Sequence, residues 1–287
     1  MGYAFSTGTL VYNDVIVGTL QDVSLDQSSS LIPLQGNMRA PLANALGPGK
    51  MSGTAKFTSF DPTFLSTITN VAMGPASGVA MIWYITDSAG VVKSITMPAV
   101  TLTSLKLSAS ADKWLESSIS FECACTGGTG ALATVATEAG GIPGTHDPAA
   151  GKWAFSSGAF TLQTHVVGTI NDISLDISWS TIPLNSNYRY PVAVAQGPIK
   201  VSGSTKFSTF DTNFVETITN SVMAAPSTEL TAVWVFTDTA AVTHTITLPN
   251  VTIGGWKLSA GVDKWLATDV TFEAAAAAAD SNIVEVT

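Results

Sequence analysis

Two stretches set the polar and apolar pattern. Residues 52–70 read SGTAKFTSFDPTFLSTITN, and residues 202–220 read SGSTKFSTFDTNFVETITN. In the first, Ala55 and Phe57 alternate with Lys56 and Thr58, which predicts a strand. Asp61 then stands at an N-cap position with Pro62 at the first helical position. Phe60 before the cap and Leu65 after it have the spacing of a hydrophobic staple, and Asp211, Phe210 and Val215 take the same places in the second copy. Phe64, Leu65, Ile68 and Val71 form one apolar stripe; Phe214, Val215, Ile218 and Val222 form the other. The pattern predicts a strand running into a short helix, twice.

The remaining elements also come in pairs. Residues 9–26 read as one long strand, or two with a kink at Gly18. Within it Val23 and Leu25 alternate with Asp22, Ser24 and Asp26, giving an apolar and an acidic face. Ile173 and Leu175 against Asp172, Ser174 and Asp176 repeat this. Residues 27–51, and their copy 177–201, are rich in Pro, Gly, Asn and Ser with scattered Leu and Met. Pro33, Pro41 and Pro48 predict an irregular excursion rather than a central strand. Its apolar content predicts an arm lying on a neighbour. Residues 79–86 and 91–101 are dense in β-branched and aromatic residues around a DSAG turn, and residues 230–237 lead through DTAA to a strand resuming at Val242. KLSASADKWLESSISFECA and KLSAGVDKWLATDVTFEAA each predict strand, turn, strand, with Phe121 or Phe272 in the last strand. Trp83, Trp114, Trp234 and Trp265 lie inside or beside strand patterns and read as core. The alanine run at 274–279 fits a strand extension or a helical turn equally well.

An offset of 150 relates Gly18 to Gly168, Pro33 to Pro183, Arg39 to Arg189 and Lys56 to Lys206. After the helix it becomes 151, as in Trp83 to Trp234 and Trp114 to Trp265. A period this long is a duplicated domain, not a solenoid repeat of roughly 20–50 residues. The expected organisation is residues 1–126 and 153–287 as sibling domains, with a Gly/Ala/Thr-rich linker at 127–152. The expected fold class is mainly β: two tandem antiparallel β-sandwich or barrel domains, each with one short flanking α-helix.

Composition changes the picture in one respect. Charged residues make up 11% of the 287-residue chain and apolar residues 46%, against about 25% charged in ordinary globular chains. No apolar run is long enough to cross a bilayer. The surface is therefore expected to be buried largely against other subunits. A formal charge of −9 argues against general binding to phosphate backbones. The opening MGYAFSTGTL has no basic segment or apolar core and predicts no secretory signal. Cys123 and Cys125 are too close in sequence to bridge readily and read as small hydrophobes.

The order of parts resembles the tail tube (major tail) proteins of long-tailed bacteriophages and the inner tubes of contractile injection machines. The parts are the GTLQDVSLD strand, the Pro/Gly-rich excursion, SGTAKF, FDPTFLSTITN, the hairpin carrying Trp83 with TMPAVTL (TLPNVTI in the copy), and DKWLESSISFECA. The resemblance covers nearly all of both halves outside the linker. It implies a structural virion protein without a cofactor: six domains close a ring, strands of neighbouring domains make a continuous barrel around a lumen, and rings stack. With two such domains per chain, three chains would make one pseudo-sixfold ring; the alternative is that one half builds the tube and the other decorates its outside. It implies as partners further copies of the chain and other tail proteins (initiator or baseplate, terminator, tape measure), with double-stranded DNA as non-sticking cargo and no membrane. The implied location is the virion tail, after assembly in the host cytoplasm. On this reading Asp22, Asp26, Asp172 and Asp176 face the lumen, where carboxylates would repel DNA. Leu31, Pro33, Met38, Arg39, Trp179, Pro183, Tyr188 and Arg189 are candidate contacts of the arms between subunits or rings.

Catalytic chemistry is not expected. The three histidines, His146, His165 and His244, are scattered, and no nucleophile elbow, zinc motif or calcium loop is present. The duplicated carboxylates Asp87/Asp238, Asp112/Asp263 and Glu122/Glu273 are explained by turns and by flanking a core Phe. The competing reading is a duplicated β-sandwich that binds glycans or a receptor, as a tail-tip or adhesin component would. Trp179 and Trp256, which have no partner in the first half, are its best contacts.

Overall fold

A computed structural model describes residues 8–35, 43–60, 64, 68, 78–87, 89–110, 113–126, 130–142, 153–154, 159–162, 165–185, 189–207, 230–260, 262, 267–276 and 282–287. These residues are almost all strand, and every pairing is antiparallel. The first half contributes β1 (Gly8–Tyr12), β2 (Val15–Leu34), β3 (Ala43–Phe60), β4 (Val79–Thr86), β5 (Val92–Ser110), β6 (Glu116–Ala124) and β7 (Thr134–Glu138). Then follow β8 (Trp153–Ala154), β9 (Ala159–Leu162), β10 (His165–Leu184), β11 (Ala193–Phe207), β12 (Leu230–Asp238), β13 (Thr243–Ser259), β14 (Ala267–Ala275) and β15 (Glu285–Val286).

Each half closes a circuit. In the first, β1 pairs with β2, β2 with β3, β3 with β6, β6 with β5, β5 with β4 and β4 with β1. The second half repeats the circuit through β9, β10, β11, β14, β13 and β12. Even the bulges recur: Ser29/Leu31 matches Trp179/Thr181, and Leu102/Ser104 matches Ile253/Gly255. The buried residues of strands in both circuits, among them Phe57, Phe121, Trp234, Phe236 and Phe272, join one apolar cluster. One seam connects the circuits: β5 also pairs with β10, from Ser110↔Asp172 to Ser104↔Ser178.

Several expectations change. Residues 9–26 are neither a single strand nor a pair kinked at Gly18. The chain reverses at Asn13 and Asp14, whose φ values of 50° and 61° fit a tight two-residue hairpin turn. The excursion is ordered strand over much of its length. Pro33 lies within β2 opposite Asn44. Pro48 lies where the register jumps from Ser29↔Gly49 to Leu31↔Leu46, a bulge, which needs no donor from its ring nitrogen. The stretch read as linker carries β7, which adds to β5 beside Val92–Thr96. Trp234 is fully buried, but Trp114 is 40% exposed; Trp265 lies outside the described residues.

Of the expected helices, Phe64 and Ile68 are helical and buried. Phe64 meets Tyr12 and Phe57 edge-on at 6.1 and 6.2 Å. The rest of that segment, Asp61 and its cap included, and the whole second copy at 208–229 lie outside the described residues. Among the described residues no helix is long and apolar enough to cross a membrane.

Candidate assembly interface

The pairing lays β2, β3, β6, β5, β10, β11, β14 and β13 side by side in one continuous run. Cross-strand neighbours share a face, so the register sorts the side chains. One face takes Asp22, Ser24 and Asp26 from β2, Ser52, Thr54 and Lys56 from β3, Ser118 and Ser120 from β6, and Lys106 from β5. It continues with Asp172, Ser174 and Asp176, then Ser202, Ser204 and Lys206. The four carboxylates singled out in the sequence therefore do share one polar face. That face also carries Glu116, Glu122, Asp269 and Glu273, and lysines stand among the carboxylates. Lys56 stands opposite Asp22, Lys106 reaches Asp176 at 3.0 Å, and Lys206 approaches Asp172 at 3.9 Å. The lysines alternate with Ser and Thr in β3 and β11 as regularly as the acids do in β2 and β10, a signal available before the structure. Each exposed pair contributes little stability, about 0–1 kcal/mol. Together they leave a hydroxyl-rich surface where lysines stand beside many of the carboxylates, with the carboxylates somewhat in excess.

The opposite face of the seam is apolar. Leu105, Leu107, Ile173, Leu175 and Ile177 are all buried there. By the 150 and 151 offsets, the counterparts of the two seam strands are β13 for β5 and β2 for β10. Among the described residues both counterpart edges are unpaired: β13 beyond Val251 has only β14 beside it, and β2 from Asp22 onward has only β3. Their apolar residues are uncovered accordingly. Leu258 is 41% exposed where its counterpart Leu107 is 3% exposed, and Val23 and Leu25 are only half-buried.

The outer part of the β10–β11 hairpin is an arm laid across the first half. Thr101 Oγ1 donates to the Val194 carbonyl at 2.9 Å, and Gln196 Nε2 donates to the Leu102 carbonyl at 2.9 Å. The Cys125 amide donates to the Pro191 carbonyl at 3.0 Å, and the Gly49 amide to the Arg189 carbonyl at 2.8 Å. Arg189 Nη2 reaches Ser29 Oγ at 3.1 Å, and Gln27 Nε2 donates to the Tyr190 hydroxyl at 2.8 Å. Thr181 Oγ1 reaches Glu122 Oε2 at 3.3 Å, and Glu122 also pairs with Lys50. Pro183 lines the cleft between arm and sheet. Burial beside Glu122 pushes the Cys123 thiol up to about 12. Of the residues expected in the arms, Trp179, Pro183 and Arg189 are thus placed, with Trp179 half-buried against the core. Leu31 is 64% exposed in the corresponding arm of the first half, and Pro33 lies beside it. Met38, Arg39 and Tyr188 lie outside the described residues. Sequence reasoning missed Tyr190 and Gln196, which do much of the seating; the repeat does not mark them, because the offset places Ala40 and Leu46 at their positions in the first half.

Neither protein-family models nor curated proteins give a match to this chain.

Proposed function

We propose that the chain is the structural subunit of a bacteriophage tail tube, self-assembling without a cofactor and without catalysis. Its halves act as sibling tube domains, each with a short flanking helix. One feature carries the reading: the chain joins its own halves through β5 and β10 and, among the described residues, leaves the counterpart edges, β13 and β2, open. A second copy would complete the same seam between chains, with Lys257 opposite Asp26, Leu258 opposite Leu25 and Ser259 opposite Ser24. Such a contact is head to tail, so it either closes a ring or grows a filament. With each chain counted as two of six domains, three chains close one ring, and no sheet edge is left to aggregate.

The polar face then lines the lumen. Carboxylates somewhat in excess of lysines and many hydroxyls give a DNA duplex nothing to grip. The outward sides of the arms carry Ile32, Leu34, Ile182 and Leu184, each more than half exposed, which suits stacking of ring on ring or contact with initiator, terminator and tape-measure partners in the virion tail. One observation favours the alternative of a binding module: exposed Trp114 lines a cleft of about 210 Å³ with Lys113, Glu116 and Asp172. Negative-stain microscopy and light scattering of the purified chain separate the two. Rings or tubes that Leu258→Lys abolishes are the expected result. A chain that stays monomeric at every attainable concentration and binds glycans would overturn the proposal.

A further inference from the structure

The seat that holds the second-half arm has a counterpart, and among the described residues no arm lies on it. Glu122, under the arm, keeps 16% of its side chain exposed; Glu273, in the same place of the other half and paired with Lys200 at 2.9 Å, keeps 65%. Thr101, which holds the arm's Val194, is buried, whereas its counterpart Thr252 is exposed. The arm with no seat is β2–β3, with Leu31 and Leu46 paired across it and 64% and 54% exposed.

The two seats are not interchangeable. Tyr190 lies directly on Gly49: a Cβ there would fall 2.4 Å from Tyr190 Cε1 and 2.8 Å from Cδ1. The counterpart of Gly49 is Ile199, and that of Ser29 is Trp179; these two stand opposite each other across β10 and β11. A tyrosine-tipped arm therefore cannot lie on the second half as it lies on the first. The counterpart of Tyr190 in the other arm is Ala40, outside the described residues. Large meets small in the first seat, whereas the second seat presents Ile199 and Trp179 at the same place. The arm bases differ in the same sense. Thr181 and Gln196 donate hydrogen bonds to the first seat; Leu31 and Leu46 have no donor to offer.

We propose that the empty seat on the second half takes the β2–β3 arm of a second copy, and that Tyr190 on Gly49 in one seat, with Ile199 and Trp179 filling the same place in the other, keeps the two kinds of seam in strict alternation. This rests on the tube reading above. Its value to assembly is discrimination: an arm placed on the wrong half meets a clash rather than a weaker fit, so half always follows opposite half around the ring.

Thiol cross-linking of the full chain tests it. Asn44→Cys with Thr252→Cys copies the Val194–Thr101 contact between chains. A short bifunctional maleimide is expected to give a ladder of linked chains that ends at the trimer. Thr101→Cys with Val194→Cys, the control, is expected to link within one chain. Leu46→Lys, on the arm that would fill the empty seat, should cut the inter-chain product about tenfold, the change produced by ~1.4 kcal/mol, and should leave the control unchanged. Particles under the microscope, with the control linked but no inter-chain ladder, would overturn this inference and leave the tube reading standing. So would a ladder indifferent to Leu46→Lys. An absence of particles from the unmodified chain would overturn the tube reading itself.

Discussion

Gly53 and Gly203 sit at equivalent places in β3 and β11, each facing a buried phenylalanine ring. A Cβ at Gly53 would lie 2.5 Å from Phe121 Cζ and 2.6 Å from the Ser24 carbonyl oxygen; at Gly203 it would lie 2.5 Å from both Phe272 Cζ and the Ser174 oxygen. The ring is locked in the core and the carbonyl belongs to the adjacent strand, so neither moves freely. Gly53→Ala and Gly203→Ala are each expected to destabilise the chain by about 1–3 kcal/mol, as overpacking does; denaturant melts of the two variants check this. The cysteines give a second expectation at this scale. Cys123 and Cys125 are free and buried, and the Cys123 thiol is held near 12 by burial first and by Glu122 second. A thiolate is the reactive form, so a disulfide-exchange reagent at pH 8 should label neither thiol in the folded chain and both in denaturant.

The hairpins show what an element owes to its sequence. Asp87 and Asp238 open turns by the same device. Asp87 Oδ1 accepts from the amides of Ala89 and Val91 at 2.8 and 2.9 Å, and Asp238 Oδ1 accepts from those of Ala240 and Val242, both at 2.8 Å. The DSAG and DTAA motifs were enough to place both. In the second turn His244, stacked on Trp153 at 4.4 Å, also reaches Asp238 Oδ2 at 3.2 Å. The Val242 amide above all, and also His244, hold the Asp238 carboxyl below the usual carboxylate range. A carboxyl lowered in the folded state stabilises it fully above the unfolded value, and that contribution is lost as the pH falls through the folded one. Hydrogen exchange at Ala240 and Val242 is therefore expected to quicken in acid, below the normal aspartate range, and Asp238→Asn should flatten that dependence. Unchanged protection in acid would contradict this account of the turn. Other elements were less legible. The Asn13–Asp14 turn was hidden because β-branched residues flank it closely on both sides. The arms looked irregular because proline counts against a ladder, yet Pro48 occupies a bulge and Pro33 the outer reach of a hairpin, where that objection is weak. Trp114 looked like core because periodicity cannot tell a strand end from a strand centre.

At the scale of the whole chain, the candidate site was half legible. The duplication made the acidic positions and the arms findable, since each occurs twice at a fixed offset. The seam was not, because β5 and β10 pair residues far apart in sequence and no local pattern says which edges meet. Once one seam is known, the offset supplies the other. That makes Leu107 and Leu258 a matched pair: the same place in the repeat, one inside the chain's own seam and one on its open edge. Leu107→Ala removes buried contacts in every folded molecule and should cost about 2–5 kcal/mol in a denaturant melt of the isolated chain. Leu258→Ala removes a side chain that is 41% exposed and should change that melt by no more than about 0.5 kcal/mol. In assembled particles the order should reverse in kind. Leu258→Ala should raise the concentration at which particles form, because the contact it loses exists only between chains, while Leu107→Ala should act on assembly only through folding. If the two variants melt alike, or if Leu258→Ala leaves the assembly threshold where it was, the open edges are ordinary surface and the head-to-tail seam between copies does not exist.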